Sequence, residues 1–484
     1  MGVLSELEPK QVFRYFEEIA EIPHGSGNVD RISDYLVDFA RERKLFCVQD
    51  ELKNVIIVKE AAPGYEAEPP VILQGHMDMV AVKKPGCDID MRTEGLRLAV
   101  DGDRIYAEGT SLGGDDGIAV AYSLALLDAD TIGHPRLEVI ITVDEEVGMD
   151  GARGIDLSML KGNRMVNLDS EEEGIFLTSC AGGARVKCHV PLETEQFGGL
   201  AYEVTVGGLL GGHSGGEIHK ERGNANCLFG RLLQRLGERL PVRLAELAGG
   251  LADNAIPRET VGILVIEEKD SESFAALLDT VEKEIQAELS VRDPGVCIRA
   301  RKVERAVSDC VTVKDTARAA DFLWGVPNGV QAMSADMPGL VETSLNLGIL
   351  KYEEGMLLAE FSVRSSVESA KHALIGKLSG VTKLVGGTVE VTGDYPGWQF
   401  RRESPLRDKM TALYEEMYGT KPRVEAIHAG LECGILGSKI PDLDCVSIGP
   451  DMKDIHTTEE TLSISSTRRV WEYLVKLLER KDRG

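Results

Sequence analysis

Apolar positions along the first third of the chain alternate between two periods. Val12, Phe16 and Ile19 recur at helical spacing, and so do Ile32, Leu36 and Phe39. Between and after these helices come short apolar runs with strand character: Asn54–Lys59, Val71–Gln74 ending at Gly75 and His76, Leu137–Val143 ending in Asp144, Glu145 and Glu146, and Met165–Leu168 ending at Asp169. A continuous apolar helix is predicted over Gly117–Ala129. This order predicts an α/β fold with a mostly parallel sheet and helices on both faces.

Near residue 185 the texture changes. Ala184–Val190 and Tyr202–Val206 read as half-solvated strands; helices are predicted near 221–239 and 271–290, and strands near 260–266, 342–350 and 356–363. After a turn-rich stretch at Tyr395, Pro396 and Gly397, the first texture resumes: helix 405–418, strand 423–427, helix 430–436, strand 445–449 and helix 461–479. The simplest organisation is one domain of residues 1–184 and 395–484. Residues 185–394 then form an inserted, smaller α+β domain, placed where the chain ends of the host lie close together.

Composition fits this picture. With 484 residues, 43% hydrophobic and 28% charged, the chain has the make-up of a folded protein of about two to four domains. Asp and Glu number 80 against 54 Lys and Arg, a net charge of −26, which argues against nucleic acid and anionic membrane surfaces as partners. No apolar run reaches 18 residues, and Met1–Lys10 carries Glu6 and Glu8 in place of an apolar signal segment. Nine cysteines, an odd number without a C-x-x-C pair, read as reduced thiols of a cytoplasmic protein.

The candidate chemistry lies at the C-terminal ends of the predicted strands, the edge where open α/β sheets assemble their sites. His76, Asp78, Asp115, Asp116, Glu145, Glu146 and Asp169 all fall there, and His456 follows the last predicted strand. Taken singly, each suits a turn or a solvated loop. Jointly, two histidines and at least three carboxylates suit a pair of borderline cations such as Zn²⁺, whereas loosely held Ca²⁺ would leave the histidines unexplained. Such a cluster without cations would repel itself. In His76-x-Asp78 the i, i+2 spacing of an extended chain puts both side chains on one side, so Asp78 can orient the imidazole. Of the adjacent acids Glu145 and Glu146, one can bind metal while the other takes a proton from water, as metal-assisted hydrolysis requires.

Thirteen stretches carry a family resemblance. They are GHMDMV from Gly75, GTSLGGDDGIAVA from Gly109, VDEEVGMDGA from Val143, NLDSEEEG from Asn167, CAGG from Cys180, LGGHSGGEIH from Leu210, GNAN from Gly223, NAIPRE from Asn254, PNGV from Pro327, VETSLN from Val341, YPGW from Tyr395, HAGLECG from His428 and VSIGP from Val446. In these the chain resembles the aminoacyl-histidine dipeptidases, also called Xaa-His dipeptidases or bacterial carnosinase-type enzymes, of the two-zinc aminopeptidase-fold metallopeptidases. The resemblance implies that His76 and Asp169 bind one metal, that Glu146 and His456 bind the other, and that Asp115 bridges them. It implies Glu145 as general base and acid, Asp78 as orienting carboxylate and His213 as a holder of the scissile carbonyl oxygen. The family often has Asn after the bridging Asp; here Asp116 stands there, so either acid of the pair can be the bridge. In this family context Arg364, Asn254 and His219 are candidates for contacting substrate, and His428 and Glu432 for shaping the specificity pocket.

The implied enzyme has residues 1–184 and 395–484 as its catalytic metal-binding domain and residues 185–394 as a lid and dimerisation domain; it is a homodimer joined through that lid, with two divalent ions per chain: Zn²⁺, with Mn²⁺ or Co²⁺ as substitutes. It cleaves unblocked dipeptides such as β-Ala-His through a metal-bridging water. An N-acyl amino acid deacylase would use the same metals with a different pocket. A non-catalytic paralogue would have lost ligands or base, and none is missing here.

Overall fold

In a computed structural model the chain is described from residue 2 to residue 482. It divides into two compact units. One comprises Met1–Ser179, Phe400–Ala426 and Leu431–Gly484, and the other Cys180–Gln399 with Ile427–Gly430.

The first unit is built on an eight-stranded sheet in the order 46–49, 55–59, 137–142, 71–76, 164–167, 444–447, 175–180 and 423–427. Its four central strands, Leu137–Thr142, Val71–His76, Arg164–Asn167 and Asp444–Ser447, run parallel. Strands Phe46–Gln49 and Val55–Lys59 are joined antiparallel on one side, and Ile175–Cys180 meets Asp444–Ser447 antiparallel on the other. The parallel centre matters for chemistry, because it brings the C-terminal ends of four strands to one edge. Strands 71–76 and 137–142 are buried along almost their whole length, as expected of strands covered on both faces.

Helices Lys10–Ala20, Asp30–Glu42, Gly114–Asp128 and Ile464–Glu479 pack into the core of this unit. Gly114–Asp128 is buried on every side, which is why its sequence shows no polar face. Asp115 and Asp116, inside its first turn, have non-helical backbone angles, so regular helix begins near Gly117 as the apolar pattern predicts. The expected helix 461–479 is instead a short strand, Thr461–Ser463, then a helix capped by the Ser463 hydroxyl, which accepts from the amide of Ser466.

The second unit holds a nine-stranded sheet whose pairings are antiparallel. Helices Ala225–Gly237, Ser271–Leu289, Val313–Gly325 and Glu368–Leu384 share its core. The helix expected from residue 221 begins later, because the Asn224 side chain caps it by accepting from the amide of Cys227.

Candidate metal centre and its surroundings

His76 is the last residue of strand 71–76, and its register partner on the neighbouring strand is Thr142. Glu145 and Glu146 open a one-turn helix, Glu145–Gly148, just beyond that neighbour. Asp169 follows strand 164–167 on the other side. His456 stands in the turn between the short strands Met452–Lys453 and Thr461–Ser463. Asp115 comes from the start of the buried helix, which packs closely on strand 71–76. A Cβ on Gly75 would meet Ala119 Cβ and Asp116 Oδ2, each at 2.5 Å, so only glycine fits before His76. Gly113 adopts φ +68°, the left-handed conformation that turns the chain into Asp115.

Asp115 lies between the two histidines. Its Oδ1 is 3.1 Å from His76 Nε2, and its Oδ2 is 3.1 Å from His456 Nε2. His76 Nε2 is also 3.7 Å from Asp169 Oδ1, and His456 Nε2 is 2.9 Å from Glu146 Oε1. Two atoms bound to one tetrahedral Zn²⁺ at about 2.1 Å stand about 3.4 Å apart, and the observed spacings bracket that value. Glu146 Oε1 is buried without a hydrogen-bond partner despite its nearness to His456. The donor atoms of His76, Asp115 and Glu146 gather within 4.8 Å, and so do those of His76, Asp116 and Asp169. The donor set therefore fits two divalent ions. Asp116 is turned differently from Asp115: its Oδ2 accepts from the main-chain amide of His76, and its Oδ1 is buried without a partner.

The electrostatics point the same way. Burial acts against charge on His76, but Asp115, Asp169 and Asp78 outweigh it and hold the imidazole well above its ordinary pKa. The close carboxylates of Asp115 and Glu146 push His456 up to about 10. Burial would raise Asp115, yet the two histidines hold it well below the usual carboxylate range. Burial lifts Asp169 to about 7 against the pull of His76. Burial also raises Glu145 well above 4.5, with Asp169, Glu432 and Glu146 adding to it and His76 opposing. Six carboxyl groups thus crowd two imidazoles, a concentration of negative charge that divalent cations would neutralise.

Asp78 does more than orient an imidazole. His76 Nδ1 is 3.0 Å from its main-chain oxygen and 3.4 Å from its Oδ1. Its carboxylate also accepts from the Ser26 hydroxyl at 2.7 Å and from the amides of Glu145 and Glu146 at 3.1 and 3.4 Å. It thereby anchors the backbone of the acid pair.

The sequence matches Peptidase family M20/M25/M40 over residues 72–480. The chain belongs to that family. It is similar to the cytosol non-specific dipeptidase of Escherichia coli (strain K12), with 35% identity over 481 residues, 99% of each chain. It is also similar to the crystal structure of aminoacylhistidine dipeptidase from Vibrio alginolyticus: TM-score 0.94, 36% identity, covering 99% of this chain and 98% of that one. Aminopeptidase PepT from Bacillus cereus ATCC 10987, at 15% identity and TM-score 0.57 over 98% of both chains, shares the fold.

In this M20 peptidase chain the remaining candidates divide between the units. Glu432, in the first, is fully buried; its Oε2 accepts from Gln74 Nε2 at 2.6 Å and from the Thr142 hydroxyl at 2.5 Å, while its Oε1 has no partner. Burial lifts its pKa to about 8. Gln74 Oε1 accepts in turn from Asn167, whose own Oδ1 accepts from the amide of Asp169. A buried polar chain of Thr142, Glu432, Gln74 and Asn167 therefore reaches the backbone of Asp169.

In the second unit His213 pairs with Ala255 in a two-residue strand. Its Nδ1 accepts from the amides of Gly215 and Gly216 at 3.3 and 3.0 Å. A nitrogen that accepts twice carries no proton, so in the neutral ring the proton sits on Nε2. Burial and the charge of Arg364 lower the His213 pKa, which favours that neutral form. His428 Nε2 is 2.7 Å from the Ser344 hydroxyl, and burial with Arg364 pushes its pKa down to about 3. Arg364 Nε is buried without a hydrogen-bond partner. Asn254 contributes its main-chain oxygen to the amide of Ser214 at 2.8 Å. His219 stands exposed in the short 3₁₀ turn Ile218–Lys220.

Sequence reasoning passed over several residues that shape these sites. Asp293, fully buried, accepts from the amides of Leu210 and Gly223 at 2.7 and 2.6 Å and so closes the loop that carries His213. In sequence it sits in Arg-Asp-Pro-Gly and reads as an ordinary turn. Ser26, Gln74, Thr142 and Asn167 were equally silent, since their partners are far away along the chain.

Proposed function

We propose that this chain is a metal-dependent dipeptidase that hydrolyses unblocked dipeptides, Xaa-His among them, with two divalent ions, Zn²⁺ foremost. The observation that carries the reading is Asp115 lying between His76 and His456 with one oxygen toward each. The names of the two full-length relatives, a non-specific dipeptidase and an aminoacylhistidine dipeptidase, support a dipeptide substrate. The first of those names supports a range of dipeptides wider than those ending in His, and a cytoplasmic setting. Among the described residues no helix is long and apolar enough to cross a membrane.

In this reading His76 and Asp169 hold one ion, Glu146 and His456 the other, and Asp115 both. Bound there, the ions supply Lewis acidity that polarises the scissile carbonyl and acidifies water. Glu145, free of a ligand role, takes the proton of the attacking water and returns it to the leaving amine. Asp78 fixes the His76 ring and the backbone of the acid pair. His213 donates from Nε2 to the carbonyl oxygen as negative charge develops there, with a partner copy supplying the ring to each site. Arg364, with a guanidinium suited to a bidentate carboxylate contact, receives the substrate's C-terminus, and Asn254, His219 and His428 line its approach. Residues 185–394 act as lid and dimer surface in this scheme.

The test pairs elemental analysis with a substrate panel: β-Ala-His, other dipeptides, tripeptides and N-acetyl amino acids. Two metals per chain and fastest turnover on unblocked dipeptides are expected. Preference for N-acetyl amino acids would replace the reading with a deacylase. Faster cleavage of longer peptides, or fewer than two metals in active protein, would overturn it.

A further inference from the structure

Glu460 belongs to neither the ligands nor the substrate contacts, yet it is almost wholly buried beside them, at 3% exposure. Its carboxylate faces four consecutive main-chain amides of the loop that leads into Asp115. Oε2 accepts from Leu112 at 2.8 Å and Gly113 at 3.1 Å; Oε1 accepts from Gly114 at 2.8 Å, with the amide of Asp115 at 3.4 Å. These amides have no helical partner, because helix geometry begins only near Gly117. A Cβ on Gly114 would stand 3.2 Å from Oε1, a tight contact that the glycine avoids.

Glu460 also closes the turn that carries His456. Its amide is bonded to the carbonyl of Thr457, and the next residues form strand Thr461–Ser463, whose Leu462 pairs with Met452 on one side and Ile105 on the other. One carboxylate therefore ties together two loops that are 345 residues apart, and those loops meet where Asp115 Oδ2 lies 3.1 Å from His456 Nε2. His76 and Asp169, by contrast, follow regular sheet strands and do not depend on this tie.

We propose that Glu460 is a positioning residue of the dinuclear centre: by holding the Leu112–Asp115 backbone against the His456 turn, it sets the affinity for the ion bound by His456, Glu146 and Asp115. The inference rests on the two-ion reading above and adds a residue that touches neither ion nor substrate.

Glu460→Gln tests it. The amide replaces one acceptor oxygen with an NH₂ group, which faces main-chain donors and satisfies none. Zn²⁺ titration with a competing chelator is to be followed on the metal-free chain, alongside its thermal melting. Two sites are expected in the wild type. In the variant the affinity for the ion on His456 and Glu146 falls by about 10–100-fold, as for loss of a partner that orients a ligand, and that for the ion on His76 and Asp169, which shares only Asp115 with it, falls less. Excess metal then restores kcat with KM unmoved. Glu460→Asp keeps the charge but is one methylene shorter, so it is expected to behave like the Gln variant; wild-type affinity in Glu460→Asp would overturn the positioning role. So would unchanged affinities in Glu460→Gln, or loss of both ions together with a lower melting temperature of the metal-free chain. A wild type that takes up no second ion overturns the two-ion reading and this one with it, whereas two ions in the wild type with unchanged variants overturns this one alone.

Discussion

Loading metal into the centre is expected to expel protons, and the geometry sets how many. In the metal-free chain Asp115 accepts from both imidazoles, His456 has a pKa near 10, and His76 lies well above 6.5. At pH 7 both rings are therefore protonated, and a histidine must be neutral on the coordinating nitrogen to bind a metal. Asp169, near 7, carries about half a proton that it must also shed. At least two protons per chain are thus released when both ions enter at pH 7. If each ion displaces one imidazole proton, its apparent affinity weakens about tenfold, or about 1.4 kcal/mol, for each unit that pH falls below the imidazole value.

Titration calorimetry in buffers of different protonation enthalpy measures this directly, because the observed heat varies linearly with buffer enthalpy and the slope counts protons. Release of fewer than one proton per chain would mean that the histidines are already neutral. The claim that carboxylates here hold protonated imidazoles in place of metal would then be wrong.

Three further outcomes follow from the same contacts. Glu145→Ala is expected to keep both metals and lose about 10²–10⁴-fold in turnover, while Glu146→Ala loses metal; elemental analysis with kinetics checks both, and exchanged behaviours would refute the division between base and ligand. In metal-free protein Glu432 binds its proton more tightly folded, with a pKa near 8, than unfolded, near 4.5, so its contribution to stability falls as pH rises from 4.5 to 8; Glu432→Gln, which can keep both hydrogen bonds to Oε2, is expected to melt progressively higher relative to wild type across that window, and a constant difference would refute the buried neutral acid. His213→Ala is expected to retain metal and lose about 10²–10³-fold in turnover, and mixing it with Glu145→Ala is expected to regain activity through mixed dimers; no recovery despite subunit exchange shown by mass spectrometry would refute action in a partner's site.

The candidate site residues that gather around Asp115 were legible because the chemistry of an α/β site is tied to strand ends, and strand ends can be read from apolar runs that stop at a charged residue. His76, Glu145 with Glu146, and Asp169 each end such a run. The choice between Asp115 and Asp116 was not legible, since sequence neighbours differ only in where the backbone turns them. Asp115 meets two histidines, whereas Asp116 meets the His76 amide. Helices Val313–Gly325 and Glu368–Leu384 escaped the pattern because much of what they bury is small or polar: Asp315, Thr316, Ala319 and Ala320 in the first, Lys371 and Thr382 in the second. The antiparallel direction of flanking strands such as Val55–Lys59 escaped for another reason, as apolar runs do not reveal which way a strand runs.

What stayed hidden has a common physical form. Glu460, Asp293 and, beyond its legible place beside His76, Asp78 are buried carboxylates whose oxygens accept from main-chain amides of loops bearing candidate site residues: the run into Asp115, the His213 loop and the acid pair. A loop that must aim a side chain away from any strand or helix leaves its own amides without ladder partners, and burying them unpaired would cost about 1–3 kcal/mol each. An ionised carboxylate offers about four acceptor positions on a rigid fork, more than any neutral side chain. One such residue can therefore satisfy several amides and fix their directions at once. At Asp78 and Glu460 the arrangement spends negative charge close to a centre already rich in it, which lowers the cost of binding cations there. Part of this chain's acidity is thus structural in origin yet tuned to the same end as the ligands. No local motif can announce it, because the partners are backbone atoms that any residue would present.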